Sequence, residues 1–126
     1  MVNASLFLDP PAPHVMRYWS TFNEHQRTLR GDPEVGAKLG RLLHGAGFRD
    51  IVLSPREVIF DDRDPTSRAA FCNYFKELLR SAAPGLLDSG RVAHGDIAAM
   101  ERELDTLGDT PGGIFFYVFI QARCVR

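Results

Sequence analysis

Apolar residues recur at three- and four-residue intervals through most of this chain, and then run unbroken near its end. The run Gly113-Ile114-Phe115-Phe116-Tyr117-Val118-Phe119-Ile120-Gln121-Ala122 has no alternation of apolar and polar positions. Aromatic and β-branched residues without alternation suit a strand buried on both faces, with a neighbour on each side. Only one other strand is legible. It begins at Phe48 and extends to Phe60, and its inward positions change parity from Ile51 and Leu53 to Val58 and Phe60. A strand with one buried face cannot change parity without an irregularity, so a bulge or break is expected at Ser54-Pro55, and the proline favours a sheet edge. Residues 1–13 read as irregular, with Leu6-Phe7-Leu8 too short to count as a strand.

The helical periodicities are better punctuated. Val15, Tyr18, Trp19, Phe22 and Leu29 share one face of a helix over about 13–30, stopped by Gly31. Asp32 caps the next helix, over about 33–46, with Pro33 at its first position and Glu34 at its positive end. Val35, Leu39, Leu42, Leu43 and Ala46 form its apolar face, and Gly47 ends it in a left-handed conformation. Asp64-Pro65 repeats the cap-then-proline signal before a helix over about 65–82, carrying Phe71, Phe75, Leu78, Leu79 and Ala82 and ended by Pro84. Leu86 and Leu87 fall in a short helical turn closed by Gly90. A last helix over about 95–107 aligns Ile97, Met100, Leu104 and Leu107, and Gly108 to Gly113 turn the chain into the terminal strand. The pattern predicts one α+β domain, its helices packed on an antiparallel pair of strands at about 48–60 and 113–124.

Composition narrows the class. At 126 residues the chain can bury roughly two thirds of its unfolded surface as one domain. A formal net charge of −1 gives no electrostatic footprint for nucleic acid or an anionic membrane. No apolar run reaches the length of a membrane span, and Met1-Val2-Asn3-Ala4 lacks the basic region of a signal peptide. Cys72 and Cys124 are too far apart for a metal or redox motif; they either form a disulfide or, the better reading, are reduced, partly buried thiols of a cytoplasmic protein.

Few motifs carry chemistry. Gly40 to Gly47 has the glycine spacing of a phosphate loop, but the following Lys and Ser/Thr are missing and the segment ends a helix instead of opening one. Asp61-Asp62-Arg63-Asp64 is either a carboxylate site for a hard cation or, the better reading, a solvated loop with a helix cap. His14, His25, His44 and His94 show no zinc spacing. Cys72 sits in an apolar helical pattern without a basic partner, which is poor ground for a catalytic thiol. The aromatic residues remain: Tyr18, Trp19 and Phe22 on the first helix, with Phe71, Tyr74 and Phe75 on the third, either line a pocket for a flat apolar molecule or form core.

The segment from Gly31 to Phe48, ending Leu42-Leu43-His44-Gly45-Ala46-Gly47-Phe48, resembles the late part of class I S-adenosylmethionine-dependent methyltransferases of the small-molecule branch. There a helix with this ending leads into the sixth strand. Leu6 to Pro11 looks like the stretch after the fifth strand, residues 65–107 like the insertion between strands six and seven, and Ile114 to Arg123 like strand seven. The resemblance implies the C-terminal portion of a Rossmann-like fold in which strand seven is antiparallel and lies between strands five and six. The family's glycine-rich cofactor loop and acidic ribose ligand belong to strands one and two, which no segment here resembles. The resemblance therefore implies S-adenosylmethionine as cofactor of the complete enzyme and no cofactor for this chain alone. It places His14, Tyr18, Trp19, Phe22, Phe71 and Phe75 at the site of a small-molecule acceptor. It also implies an exposed strand edge, to be filled by a complementing subunit or a second copy. The alternative is a non-enzymatic dimerising module that binds an apolar molecule or a partner.

Overall fold

The computed structural model describes residues 5–126; the Met1 to Ala4 segment used above to exclude a signal peptide lies outside them. The elements run β1 (Phe7–Asp9), α1 (Pro13–Thr28), α2 (Val35–Gly45), β2 (Arg49–Phe60), α3 (Pro65–Arg80), α4 (Ala83–Asp88), α5 (His94–Asp109) and β3 (Ile114–Val125). The architecture is α+β, with β3 central in an antiparallel sheet of order β1-β3-β2. The sequence predicted two strands. The third is β1, whose Phe7, Leu8 and Asp9 pair with Phe116, Phe115 and Ile114. Three residues carry no periodicity, so only the waiting edge of β3 makes them a strand.

Register assigns the faces. Leu8, Phe115 and Phe60 stand side by side on one face, and Phe7, Phe116 and Ile59 on the other. The first face takes α1, α3 and α5 and holds the core, in which Val15, Phe75, Leu79, Leu86, Met100, Leu104, Leu107 and Phe115 are fully buried. The second face receives α2, which packs on β2 and β3. Gly40 makes that contact close, since a Cβ there would lie 3.1 Å from Leu53 Cδ1. Away from α2 the face is open: Phe7 is 56% and Ile59 44% exposed. The expected burial of the terminal strand on both faces is thus corrected: Phe115 is buried, whereas Phe116, Val118 and Ile120 are half-buried.

The same layering accounts for the parity change in β2. Pairing runs without interruption from Val52 to Phe60, Pro55 opposite Ile120 included, and the register shift lies earlier, between Arg49 and Val52. Asp50 adopts a left-handed conformation there (φ 51°). No break occurs at Ser54-Pro55. Leu53 meets Gly40 of α2 on one face while remaining 42% exposed, and Phe60 packs against the core on the other, so the two ends of the strand face different layers. Pro55 nonetheless sits where a proline should. Val118 directs its N–H at Ser5 Oγ, away from β2. Ile120, two residues on, directs its backbone the same way, so its partner Pro55 faces the outer edge of β2, where no ladder bond is lost.

Helix ends follow local chemistry with two departures, besides the start of α2. That helix begins at Val35 and not at Pro33, its N-cap is Glu34 without a side-chain cap, and Asp32 accepts Glu34 N–H at 3.0 Å from ahead of the helix. Gly47 closes α2 with φ 84°, and Asp64 caps α3 by accepting from Ser67 N–H at 3.0 Å. After α1, however, the left-handed residue is Arg30 (φ 63°), not Gly31. Gly31 N–H reaches Gln26 O at 2.9 Å and Arg30 N–H reaches Arg27 O at 3.1 Å, a complete Schellman closure with a Cβ in its strained position. Arg30→Gly is accordingly expected to stabilise the fold by about 0.5–1 kcal/mol, read as a higher urea midpoint with unchanged slope. The second departure is Gly108, which continues α5 instead of starting the turn. A Cβ on it would lie 3.3 Å from Ala69 Cα, so glycine lets α5 press against α3.

One buried charge organises the loops. Arg68 on α3 is 2% exposed. Its guanidinium donates to Thr110 O at 2.7 Å, Gly113 O at 3.0 Å and Gly108 O at 3.4 Å, and it pairs with the Asp62 carboxylate. Asp62 in turn accepts from Gly112 N–H at 2.6 Å. The turn between α5 and β3 is therefore tied to the one between β2 and α3.

Candidate functional site

Chemistry converges at the carboxyl end of β1, where the chain turns through Pro10 and Pro11 into α1. Ala12, at the helix N-cap position, has no side chain able to accept from the free amides. Glu103 of α5 supplies the acceptor instead: one carboxylate oxygen takes Val15 N–H at 2.9 Å and the other takes His14 Nδ1 at 2.6 Å. Partial burial raises the Glu103 pKa, but the hydrogen bonds from Val15 and His14 outweigh it and hold the carboxyl below its usual range. An ionised carboxylate only accepts, so Nδ1 of His14 carries a hydrogen and donates it to Glu103. Glu103→Ala removes the acceptor for the first turn of α1 and is expected to cost about 1 kcal/mol in urea unfolding, the scale of a lost N-cap.

His14 stands between two clefts. The larger, about 410 Å³, is walled by Pro10, Pro11, His14, Arg102, Glu103 and Thr106, a size suited to a small molecule. The smaller, about 40 Å³, lies among His14, Arg17, Tyr18, Thr21, Arg91 and Asp96. Arg91 is pairing distance from Glu24 (3.5 Å) and Asp96 accepts from Ala93 N–H at 2.8 Å.

The six candidate residues do not share one pocket. Tyr18 is 2% exposed and donates its hydroxyl to Leu79 O at 3.1 Å; burial, with Glu101 nearby, pushes its pKa up and keeps the phenol neutral. Trp19 stacks on Phe22 with centroids 5.6 Å apart and tilts against Phe75 at 5.5 Å, all three in the core. Trp19 Nε1 and Asn23 Oδ1 are buried there without hydrogen-bond partners among the described residues. Phe71 belongs to a second cluster, stacked on Phe60 at 4.3 Å and Tyr117 at 5.7 Å. Phe115 joins the clusters by edge contacts to Phe71 and Phe75. Of the six, His14 and Tyr18 alone border the clefts described here. Glu103 was missed by the sequence reading. Its only signal there is an acid beside the apolar stripe of α5, a common pattern that says nothing of a helix start 88 residues away.

The other motifs resolve into structural roles. Asp61 pairs with Arg63 at 2.9 Å, Asp62 with Arg68, and Asp64 with Ser67, and no cluster among the described residues could hold a metal ion. Burial pushes the Cys72 thiol up to about 11, which leaves it protonated and unreactive. No helix among the described residues is long and apolar enough to cross a membrane. No protein-family model matches the chain, and no curated protein matches it either.

Proposed function

We propose that this chain is the acceptor-side half of a small-molecule methyltransferase related to the S-adenosylmethionine-dependent class I enzymes. The observation that carries the proposal is the sheet order: the terminal strand runs antiparallel between β1 and β2, the place strand seven takes between strands five and six in that family. On this reading β1 is the end of strand five, and the 410 Å³ cleft opens at its carboxyl end, where open α/β sheets hold ligands. His14 and Tyr18 remain acceptor-site residues, joined by Glu103 and Arg102, while Trp19, Phe22, Phe71 and Phe75 act from behind by fixing α1 and α3 against the sheet.

The residues present do not fit the cofactor. Gly47 and Gly90 follow helices and Gly112 leads into a strand, so none of these left-handed glycines opens a helix whose amides could cradle an anion. S-adenosylmethionine binding is assigned to a complementing part, either further residues of the same polypeptide or a separate subunit.

Calorimetric titration of residues 1–126 with S-adenosylmethionine is expected to give no stoichiometric binding. Tight one-to-one binding would assign the cofactor to this chain and overturn the division. Nucleotide sequence immediately upstream is expected to encode a strand followed by Gly-x-Gly-x-x-Gly, in the same frame or an adjacent gene. Its absence would remove the methyltransferase assignment.

A second function has its own support. Phe7, Val35, Leu42, Leu53 and Ile59 are exposed, and the pairing of Phe7 and Ile59 with Phe116 places those two on the α2 side of the sheet. Apolar surface of this kind favours association, so a dimerising module is the alternative. A monomer in light scattering at micromolar concentration would count against it.

A further inference from the structure

We infer that the open end of the sheet is a docking surface for single-stranded nucleic acid, with bases stacked on exposed aromatic rings and phosphates held by the arginines beside them. This surface is independent of the methyltransferase reading.

Register continues the core face of β3 past Phe115, through Tyr117 and Phe119 to Arg123, with Arg56 of β2 directly opposite Phe119. Helix α3 covers the first part of this strip, where Phe71 stacks on Tyr117 at 5.7 Å. Beyond it the sheet is open: Phe119 is 37% exposed, and Val52, opposite Arg123, is 57% exposed. On the flank, Tyr74 of α3 is 59% exposed, its ring 5.6 Å from that of Phe71. Tyr117 and Phe119, two residues apart on one face, hold their ring centroids 6.4 Å apart. Aromatic rings on an open antiparallel sheet offer π faces to the unstacked bases of a single strand, whatever its sequence.

The charge on this strip has one sign. No acidic residue shares the face among the paired positions from Val52 to Phe60 and from Phe115 to Arg123. The acids of β2 are Asp50, in the register shift, and Glu57, which pairs with Val118 on the other face. Arg56 and Arg123 have no ion-pair partner among the described residues. Gln121 Oε1 accepts from Arg56 Nε at 2.7 Å, which steadies the guanidinium and leaves its two terminal nitrogens for a phosphate beside Phe119. The formal net charge of −1 conceals this local patch, because it averages over the whole chain. A second copy docked through the same face would set these arginines against their own counterparts. An acidic peptide would leave the rings unused, whereas a single strand uses rings and arginines together.

The test titrates fluorescein-labelled decauridylate and decathymidylate with the 126-residue protein at low salt, read by anisotropy. A duplex of the same length and polyglutamate are the competitors. Both are expected to displace the single strands at least tenfold less well than unlabelled decauridylate. Phe119→Ala, a change expected to leave the fold intact, should weaken binding roughly tenfold, the scale of one lost base stack. Arg56→Ala and Arg123→Ala should each flatten the log–log dependence of affinity on salt by about 0.7, one phosphate contact in a single strand. Binding of either oligonucleotide supports the surface, and a preference between them assigns RNA or DNA. No binding at about 100 µM protein, the weak end of non-specific association, overturns the inference. So does equal competition by the duplex, which would remove stacking, or by polyglutamate, which would point to an acidic polypeptide. Binding unchanged in Phe119→Ala overturns it as well. None of these outcomes bears on cofactor binding, which the calorimetric titration judges separately.

Discussion

Replacing Arg68 with methionine is expected to lower the free energy of unfolding by about 3–5 kcal/mol, the largest loss from any single polar change in this protein. Methionine fills much of the space, so packing is not what fails. The change removes one partner of the half-exposed Asp62, which keeps Gly112 N–H, and leaves the carbonyls of Thr110, Gly113 and Gly108 without the donor that reaches them. Buried acceptors without partners each cost on the order of 1–3 kcal/mol. Arg68→Lys should recover only part, because an ammonium cannot reach three carbonyls and a carboxylate in the planar fork of a guanidinium. Urea unfolding by tryptophan fluorescence reads both, since Trp19 lies in the core; a methionine variant within 1 kcal/mol of wild type would sink the account.

The pair also has a pH signature. The side-chain bond from Arg68, and after it the Gly112 N–H, hold the Asp62 carboxyl below the ordinary aspartate range. A carboxyl with a depressed folded pKa contributes stability above its unfolded pKa, near about 4, and loses it as pH falls through the folded value. Wild type should therefore weaken on acidification through and below pH 4 more steeply than Arg68→Met, with unfolding midpoints measured across that range.

Phe115→Ala is expected to cost about 3–5 kcal/mol, as large aromatic truncations in packed interiors do. Phe115 is fully buried on the central strand, between Leu8 and Phe60 in register, and its ring meets Phe71 at 5.0 Å and Phe75 at 5.1 Å edge-on. Removing it opens a hole where the two aromatic clusters and all three strands meet, so neighbours cannot collapse into it without moving the sheet. Phe115→Leu keeps most of the volume and should cost less than half as much, giving a measurable folded variant if alanine leaves too little structure. By contrast Phe119, 37% exposed on the same strand, should lose under 1 kcal/mol on the same truncation. Equal losses at 115 and 119 would mean that the core is not where it is placed here.

The helices were legible because helix formation is local. Tyr18, Trp19 and Phe22 recur at the helical spacing, and Asp64 stands three residues before the Ser67 amide that it caps. The sheet was less legible. Burial on both faces was read into β3 from its composition, but composition reports what a strand could bury, and α2 covers only part of the second face. The parity of β2 was read as a break because one strand was assumed to have one buried side. The candidate site was least legible of all. His14 stood out only by resemblance, and nothing in the local sequence connects it to Glu103, 89 positions away.

The sequence by itself determined the places of four helices and of a short helical turn at Leu86-Leu87, the caps at Asp64 and Gly47, the two long strands and the core-facing stripes of α1, α3 and α5, because each depends on neighbours within one or two turns. Tertiary structure alone decided the rest. It made Phe7 to Asp9 a strand by presenting a β3 edge more than a hundred residues later, and it buried Arg68 by bringing three distant carbonyls to it. It also turned His14 into a fixed imidazole by laying α5 across the start of α1. In each case the deciding partner is remote in sequence, and only the closing of the chain on itself supplies the free energy that makes the contact.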